Sequence, residues 1–129
     1  MKIVYYACGN YAEFFIHYIK NVEQNEKVNL IYTNNYQGRD WCKENQVSYR
    51  YLYKDFNKIF RKKKEKNIKN NLNLNVVYEA DKSHFKRKRT KYTNRCIKTI
   101  IKIYEEWLNI DKPDFVLFPI IETMDAMAL

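Results

Sequence analysis

Two short stretches of the chain combine residue types that suit ligand binding and proton transfer. Residues 8–11 are Cys-Gly-Asn-Tyr. Gly9 permits close approach of the backbone to a ligand, and the amides of a helix capped by Asn10 bind an anion or a polar group. Residues 122–125 are Glu-Thr-Met-Asp. Glu122 and Asp125 are therefore the candidate general bases, whereas Gly9, Asn10 and Thr123 are the candidate substrate-binding residues.

Each stretch also has a structural interpretation. Gly9 and Asn10 suit an ordinary strand-to-helix turn, because the full Gly-x-Gly-x-x-Gly dinucleotide signature is missing. Thr123 or Asp125 suits a helix N-cap, where nearby carboxylates are favourable at the positive end of the helix. Both interpretations stay open on the sequence alone.

Metal and thiol chemistry find little support in the sequence. Cys8, Cys42 and Cys96 are widely separated, without a Cys-x-x-Cys pair, and His17 and His84 do not add metal-like spacing. We therefore expect no metal site, and buried free thiols in a reducing compartment. His17 lies beside the apolar stripe of a predicted helix, where we expect a partly buried structural residue.

The elements that must position the two stretches alternate between strand and helix. Apolar runs predict strands at Lys2–Ala7, Val28–Thr33, Val47–Tyr53 and Phe115–Ile121, the last apolar on both faces like a central parallel strand. A weaker strand signal covers 76–78. Helices are predicted after residue 10, through Trp41 and Cys42, and over about 85–108. The apolar stripe of the first helix comprises Tyr11, Phe14, Phe15, Tyr18, Ile19 and Val22.

This order predicts an α/β fold, a Rossmann-like open parallel sheet with helices on both faces. Residues 1–129 are predicted to form one N-terminal domain of this type. The last four residues, 126–129, are typical of the first turn of a further helix. We therefore expect the chain to be truncated before the fold is complete, with a missing C-terminal domain as its partner.

Positive charge is concentrated in one segment. Residues 54–102 contain 17 Lys and Arg residues against 4 Asp and Glu, whereas the remainder contains 7 against 11. We expect a basic, solvated excursion at 54–75. In the following predicted helix, an arc of about 100° carries a basic stripe. Its members are Arg87, Lys88, Lys91, Arg95, Lys98 and Lys102.

The basic stripe is compatible with an anionic membrane surface, with nucleic acid, or with a helix face in contact with solvent only. A one-sided stripe suits a membrane surface, whereas nucleic-acid binding is disfavoured because no recognised motif is present. The sequence shows neither a signal peptide nor an apolar run of membrane-spanning length. We therefore expect a cytoplasmic protein, attached peripherally at the inner face of the plasma membrane.

The order of elements and several short motifs resemble the N-terminal half of bacterial surface-polysaccharide (capsule-type) glycosyltransferases with two Rossmann-like domains, the GT-B type. The similarity rests on the opening Lys-Ile-Val-Tyr-Tyr strand, the Tyr-rich basic middle, Tyr-Glu-Glu-Trp-Leu at 104–108, Lys-Pro-Asp-Phe-Val-Leu-Phe-Pro at 112–119 and Glu-Thr-x-Asp at 122–125. The resemblance implies an acceptor-side domain facing a sugar or lipid-linked acceptor, with Gly9, Asn10, Glu122, Thr123 and Asp125 bordering the interdomain cleft. The nucleotide-sugar donor would be held mostly by the missing domain, so that this domain alone binds no cofactor.

A second resemblance competes with the first. Residues 2–12 are similar to the start of folate-dependent formyltransferases, and so is the Gly38-Arg39 pair after the second predicted strand. That family places a catalytic Asn-x-His motif near the last strand. No such motif follows Phe118 in this chain.

Overall fold

The computed structural model describes residues 1–7, 11–21, 28–60 and 91–118. These residues form four strands and four helices in the following order. They are β1 (Lys2–Ala7), α1 (Tyr11–Asn21), β2 (Val28–Thr33), α2 (Tyr36–Glu44), β3 (Tyr49–Tyr51), α3 (Leu52–Phe60), α4 (Lys91–Asp111) and β4 (Phe115–Leu117).

The four strands form one open, entirely parallel sheet with the order β3-β2-β1-β4. The predicted fold class is confirmed. Strands β1 and β2 have the bounds that their apolar runs predicted. They pair over their full length, from Lys2 opposite Val28 to Ala7 opposite Thr33.

Alternation along the strands divides the core into two layers, because successive side chains of a strand point to opposite faces. Ile3, Tyr5 and Ile31 pack against α1 and α2 on one face. Val4, Tyr6, Leu30 and Tyr32 pack against α3 and α4 on the other. Helices therefore cover both faces of the sheet, as predicted.

The second layer contains a compact group of aromatic rings. The ring of Tyr32 lies 4.9 Å from that of Trp107 and 6.4 Å from that of Tyr104, centroid to centroid. Tyr104 in turn meets Tyr6 edge-on at 6.4 Å. Aromatic pairs at such separations add stabilisation beyond their buried area. This ring group holds α4 to the two inner strands, β1 and β2.

The end of the predicted third strand is wrong. Val47–Tyr53 was expected to be extended, but β3 spans only Tyr49–Tyr51 and α3 begins at Leu52 without an intervening loop. Leu52, Phe56 and Ile59 recur at helical spacing and pack against the second core layer. Part of the predicted solvated excursion at 54–75 is therefore the helix α3. The rest of that excursion and the strand signal at 76–78 lie outside the described residues.

The expectation of a central last strand is also wrong for the described part of the sheet. Among the described strands, β4 pairs with β1 and lies at the edge, and Phe115 and Leu117 are 56% and 44% exposed. Both residues pair with β1 positions on the face covered by α1 and α2, and those helices pack over β1 and β2. The predicted strand residues 119–121 lie outside the described residues.

The two amphipathic helices differ in how well their faces were predicted. In α1, Tyr11, Phe14 and Tyr18 are exposed, whereas Ala12, Phe15 and Ile16 are buried, so the helix is rotated from the expected stripe. His17 is exposed and not partly buried. Helix α4 extends to Asp111, three residues beyond its predicted end. Its apolar positions from Ile97 to Trp107 are buried as expected, but Tyr92, which was also expected on the buried face, is 64% exposed. Val22 of the predicted stripe, and the start predicted near residue 85, lie outside the described residues.

Candidate functional site

The strand order places a topological switch point between β1 and β4. The chain proceeds outward from β1 through β2 to β3, and then returns to the other side of β1 to form β4. In open parallel sheets, ligands bind outside the carboxyl ends of the strands at such a point. The two strands that meet there, β1 and β4, end at Ala7 and Leu117.

The candidate site residues follow these two strands in the sequence. Gly9 and Asn10 come after β1, and Glu122, Thr123 and Asp125 come after β4. All five lie outside the described residues, as do Cys8 and the proposed capping of α1. Their assignment as site residues stays a prediction, but the strands that lead to them are neighbours.

Aromatic packing brings the chain after β4 close to β1. The ring of Phe118 lies 5.7 Å from the ring of Tyr6, which is fully buried in the layer shared with α4. Tyr5, on the opposite face, contacts the ring of Phe15 at 5.1 Å. The carboxyl end of β1 is therefore held by rings on both of its faces, which is the rigidity that a binding site requires.

The neighbouring turn at the end of β2 is close-packed. A Cβ at Gly38 would lie 2.3 Å from Oγ1 of Thr33 and 3.1 Å from Cβ of Ala12. The Gly38 amide donates to Oδ1 of Asn35 at 2.7 Å, so that Asn35 caps α2. Gly38 is thus explained by the meeting of α2, β2 and α1. The Gly38-Arg39 pair consequently gives no separate support to a formyltransferase.

A charged cluster around the buried Asp111, which we call the Asp111 cluster, consists of Asp111, Tyr32 and the half-buried Arg50 and Lys2. Asp111 is 7% exposed and accepts two hydrogen bonds from Arg50, from Nε at 2.6 Å and from Nη2 at 2.7 Å. The Tyr32 hydroxyl donates to the same carboxylate at 2.6 Å, and Nζ of Lys2 lies 4.0 Å away. The cluster therefore joins the end of α4 to three strands.

The pKa values in the Asp111 cluster follow from these contacts. Burial raises the pKa of Asp111, but the hydrogen bonds from Arg50 and Tyr32 and the nearby positive charges outweigh it, and the pKa lies below its usual range. Burial and the hydrogen bond to Asp111 raise the pKa of Tyr32, so its hydroxyl stays a donor. With every group paired, the cluster is suited to holding the fold and not to proton transfer.

Sequence reasoning missed the Asp111 cluster, although one signal was present. Asp111 continues the apolar spacing of α4 four residues beyond Trp107, and an acidic residue is unfavourable at a helix C-terminus. A carboxylate on a buried stripe requires a buried cation as its partner. The sequence does not identify that partner, because Arg50 is 61 residues away.

A groove runs along the outer edge of β3, between α2 and the start of α3, and we call it the β3-edge groove. Its volume is about 690 Å³. Three tyrosines and four basic residues line it: Tyr49, Tyr51, Tyr53, Arg39, Lys43, Arg50 and Lys54. Arg50 and Asp55 separate it from a second cavity of about 330 Å³ against α4. This groove was not predicted, although the Tyr-Arg-Tyr-Leu-Tyr alternation at 49–53 is visible in the sequence.

The predicted basic stripe is only partly described, and its members differ in their contacts. Lys91 is exposed, whereas Lys98 and Lys102 are half-buried and Lys102 lines the smaller cavity. Arg95 donates to the carbonyl of Phe60, and its guanidinium lies 4.0 Å from the centre of the Phe60 ring. Arg95 thus joins α4 to α3. Arg87 and Lys88 lie outside the described residues.

Neither metal ligation nor membrane spanning is seen in the described part of the chain. Within residues 1–7, 11–21, 28–60 and 91–118, no three His, Cys, Asp or Glu side chains come together as a metal site. The helices of this part are too short or too polar to cross a bilayer. Cys42 is buried, and burial raises the pKa of its thiol to about 12, which makes it an inert core residue.

Comparisons with known proteins add no further constraint: no family model, curated protein or solved structure matches this chain.

Proposed function

We propose that this chain is the N-terminal, acceptor-side domain of a glycosyltransferase with two Rossmann-like domains, acting in bacterial capsule or cell-surface polysaccharide synthesis. The observation that carries the proposal is the switch point between β1 and β4. The residues that resemble a cleft border in such enzymes are those that follow these two strands. A ligand site at this point is what the physics of open parallel sheets favours.

The proposed chemistry divides between two domains. Glu122 or Asp125 takes the proton of the acceptor hydroxyl as that oxygen attacks the anomeric carbon, and the nucleotide leaves. Gly9, Asn10 and Thr123 bind the acceptor through backbone amides and short polar side chains. The nucleotide-sugar is held by the second domain that we expect after Leu129. A positioned general base contributes a factor of about 10² to 10⁴ in rate.

A transfer assay tests this proposal directly. The 129-residue chain and the protein that includes the sequence after Leu129 are each incubated with radiolabelled nucleotide-sugars and membrane-extracted acceptors. We expect transfer only by the longer protein, since orientation of donor against acceptor provides much of the rate. Glu122→Gln or Asp125→Asn should lower kcat about 100-fold or more. Glu105→Gln, an exposed carboxylate on α4, is the matched control.

Two results would contradict the proposal. One is glycosyl transfer by the 129-residue chain alone. The other is a longer protein whose transfer activity survives both Glu122→Gln and Asp125→Asn unchanged. Loss of activity in the Glu105→Gln control would mean that the variants act through folding.

Membrane attachment is the second part of the proposal, because capsule acceptors are lipid-linked in the family that the sequence resembles. Each basic residue near an anionic leaflet contributes about 1 kcal/mol, and this attraction falls as salt screens it. Since Arg95 packs against Phe60, the test variant leaves it in place and changes Lys91→Glu and Lys98→Glu. We expect salt-sensitive co-sedimentation with phosphatidylglycerol vesicles that this variant weakens. Equal binding to neutral vesicles contradicts it.

A further inference from the structure

The β3-edge groove has the dimensions and lining of a ligand site. Its volume of about 690 Å³ falls within the range of roughly 300 to 1,000 Å³ that is usual for small-molecule pockets. Its walls are fixed on one side by Arg39, whose guanidinium lies 5.1 Å from the centre of the Tyr51 ring. They are fixed on the other side by Asp55, which accepts from Nε1 of Trp107 at 2.8 Å.

The groove combines ring faces with hydrogen-bonding groups. The rings of Tyr51 and Tyr53 meet edge-on at 6.0 Å, and Tyr53 remains 47% exposed. Beside them lie the carboxylate of Asp55 and the amide of Asn57. Aromatic faces next to a carboxylate and an amide suit a pyranose, since the C–H faces of a sugar pack on rings and its hydroxyls both donate and accept hydrogen bonds.

The charges of the groove favour a moderately anionic ligand. Four basic residues line it, namely Arg39, Lys43, Arg50 and Lys54. Arg39 is paired with Asp40 at 2.9 Å and Arg50 with the buried Asp111. The ammonium groups of Lys43 and Lys54 are thus the charges best placed to meet a ligand, and the acidic Asp55 lies among them.

The balance of charge in the groove favours an acidic saccharide over a nucleic acid. A nucleic-acid site needs a strongly positive track for closely spaced phosphates. Here three carboxylates, Asp40, Asp55 and Asp111, lie in or behind the groove wall and offset most of the positive charge. A saccharide with carboxylates on some of its sugars, and hydroxyls for Asp55 and Asn57, fits this lining better.

We propose that the β3-edge groove binds an acidic saccharide chain at a distance from the transfer site. The groove lies at β3, three strands from β4, which corresponds to about 14 Å across the sheet. The inference rests on the proposed function, since an acceptor chain held here by its earlier sugars keeps its growing end near the switch point. It adds the chemical class of the acceptor, a uronate-containing glycan.

Binding of defined oligosaccharides to the 129-residue chain tests the groove without requiring catalysis. The probes are a hyaluronan hexasaccharide, in which every second sugar is a uronate, neutral maltohexaose and a dT₁₀ oligonucleotide. Binding is measured by calorimetry and by NMR shifts of the tyrosine rings. We expect the hyaluronan hexasaccharide to bind best and to shift the Tyr51 and Tyr53 rings. Lys43→Ala/Lys54→Ala and Tyr53→Ala should each weaken it at least 10-fold. Lys20→Ala and Tyr36→Ala, which change exposed residues outside the groove, are the matched controls.

Each other result overturns the inference. Tighter binding of dT₁₀ assigns the groove to nucleic acid, and equal binding of maltohexaose removes the acidic requirement. Hyaluronan affinity that the groove variants leave unchanged, or no saccharide binding at all, removes the site. The transfer assay is independent of these results, so a failed groove with an active longer protein leaves the proposed function standing.

Discussion

Arg50 lies between two regions that contain the same kinds of side chain. On one side, in the Asp111 cluster, a phenol and two cations surround one carboxylate. On the other side, in the β3-edge groove, phenols and cations line open space. The difference is burial: the 7%-exposed Asp111 requires partners from within the chain, whereas the groove side chains are in contact with water. Residue types alone therefore do not distinguish a cluster that stabilises the fold from a surface that can bind a ligand.

The largest expected effect on stability comes from disrupting the Asp111 cluster. Asp111→Asn leaves the guanidinium of Arg50 without its carboxylate. Because Arg50 is 28% exposed, we expect a loss of about 2 kcal/mol of unfolding free energy, less than the roughly 3 to 5 kcal/mol of a fully buried pair. Urea denaturation measures this change. Asp40→Asn is the matched control, because Asp40 also pairs with an arginine but is exposed, and we expect it to leave stability nearly unchanged. Equal losses in the two variants would contradict the distinction between the two regions.

A smaller effect is expected from the phenols. Tyr32→Phe removes a donor to a charged, buried acceptor and should cost about 1.5 kcal/mol. Tyr49→Phe makes the same chemical change in the groove wall, where water is available to the hydroxyl, and should cost less than a third of that. The same urea experiment compares them. A larger loss in Tyr49→Phe than in Tyr32→Phe would show that the groove wall, and not the cluster, holds β3.

The Asp111 cluster should also make stability depend on pH. Because the folded-state pKa of Asp111 lies below its unfolded value, the folded state releases this proton more readily. The stabilisation is fully present above the unfolded pKa of about 4 and is lost as the pH falls through the folded-state pKa. The stability difference between the wild-type protein and Asp111→Asn should therefore shrink as the pH falls below about 5. A difference that stays constant over this range would contradict the assignment.

The smallest effect on stability is expected in the groove. Lys43→Ala and Lys54→Ala remove exposed ammonium groups and should not change the urea midpoint measurably, although they weaken saccharide binding. The comparison is sharpest in one preparation, with calorimetry and denaturation performed on the same variants. A clear shift of the midpoint would assign these lysines to the fold.

The parts of the fold that the sequence predicted well have strong local signals. β1 and β2 are continuous apolar runs bounded by turn residues, and α2 contains Trp41 and Cys42 as predicted. The end of β3 was missed because Leu52 extends the strand alternation and also begins the apolar stripe of α3. The rotation of α1 was missed because Phe14 and Phe15 are equally apolar. The contacts that favour Phe15, its packing on Tyr5 and the approach of Ala12 to Gly38, are tertiary and have no local sequence signal.

The candidate site was predictable only in part, for a related reason. The sequence placed Gly9 and Asp125 after strands, but the adjacency of those strands is a property of the whole sheet. The pairing of Arg50 with Asp111 likewise depends on contacts between distant segments, for which no local pattern exists. A single sequence does not show which of its distant residues are partners.

The position of β1 inside the sheet has a consequence for how the chain assembles during translation. Among the described strands, β1 is made before the others, and its partners on one side, β2 and β3, are complete once residue 51 has left the ribosome. The other edge of β1 finds its partner strand only when residues 114–117 are made. The Lys2 amide then donates to the Asp114 carboxylate, and the Asp114 amide donates to the Lys2 carbonyl, across 112 residues of sequence. At typical elongation rates this interval lasts several seconds. A nascent chain therefore exposes an open strand edge for that time, which is a target for chaperones that bind unpaired strands.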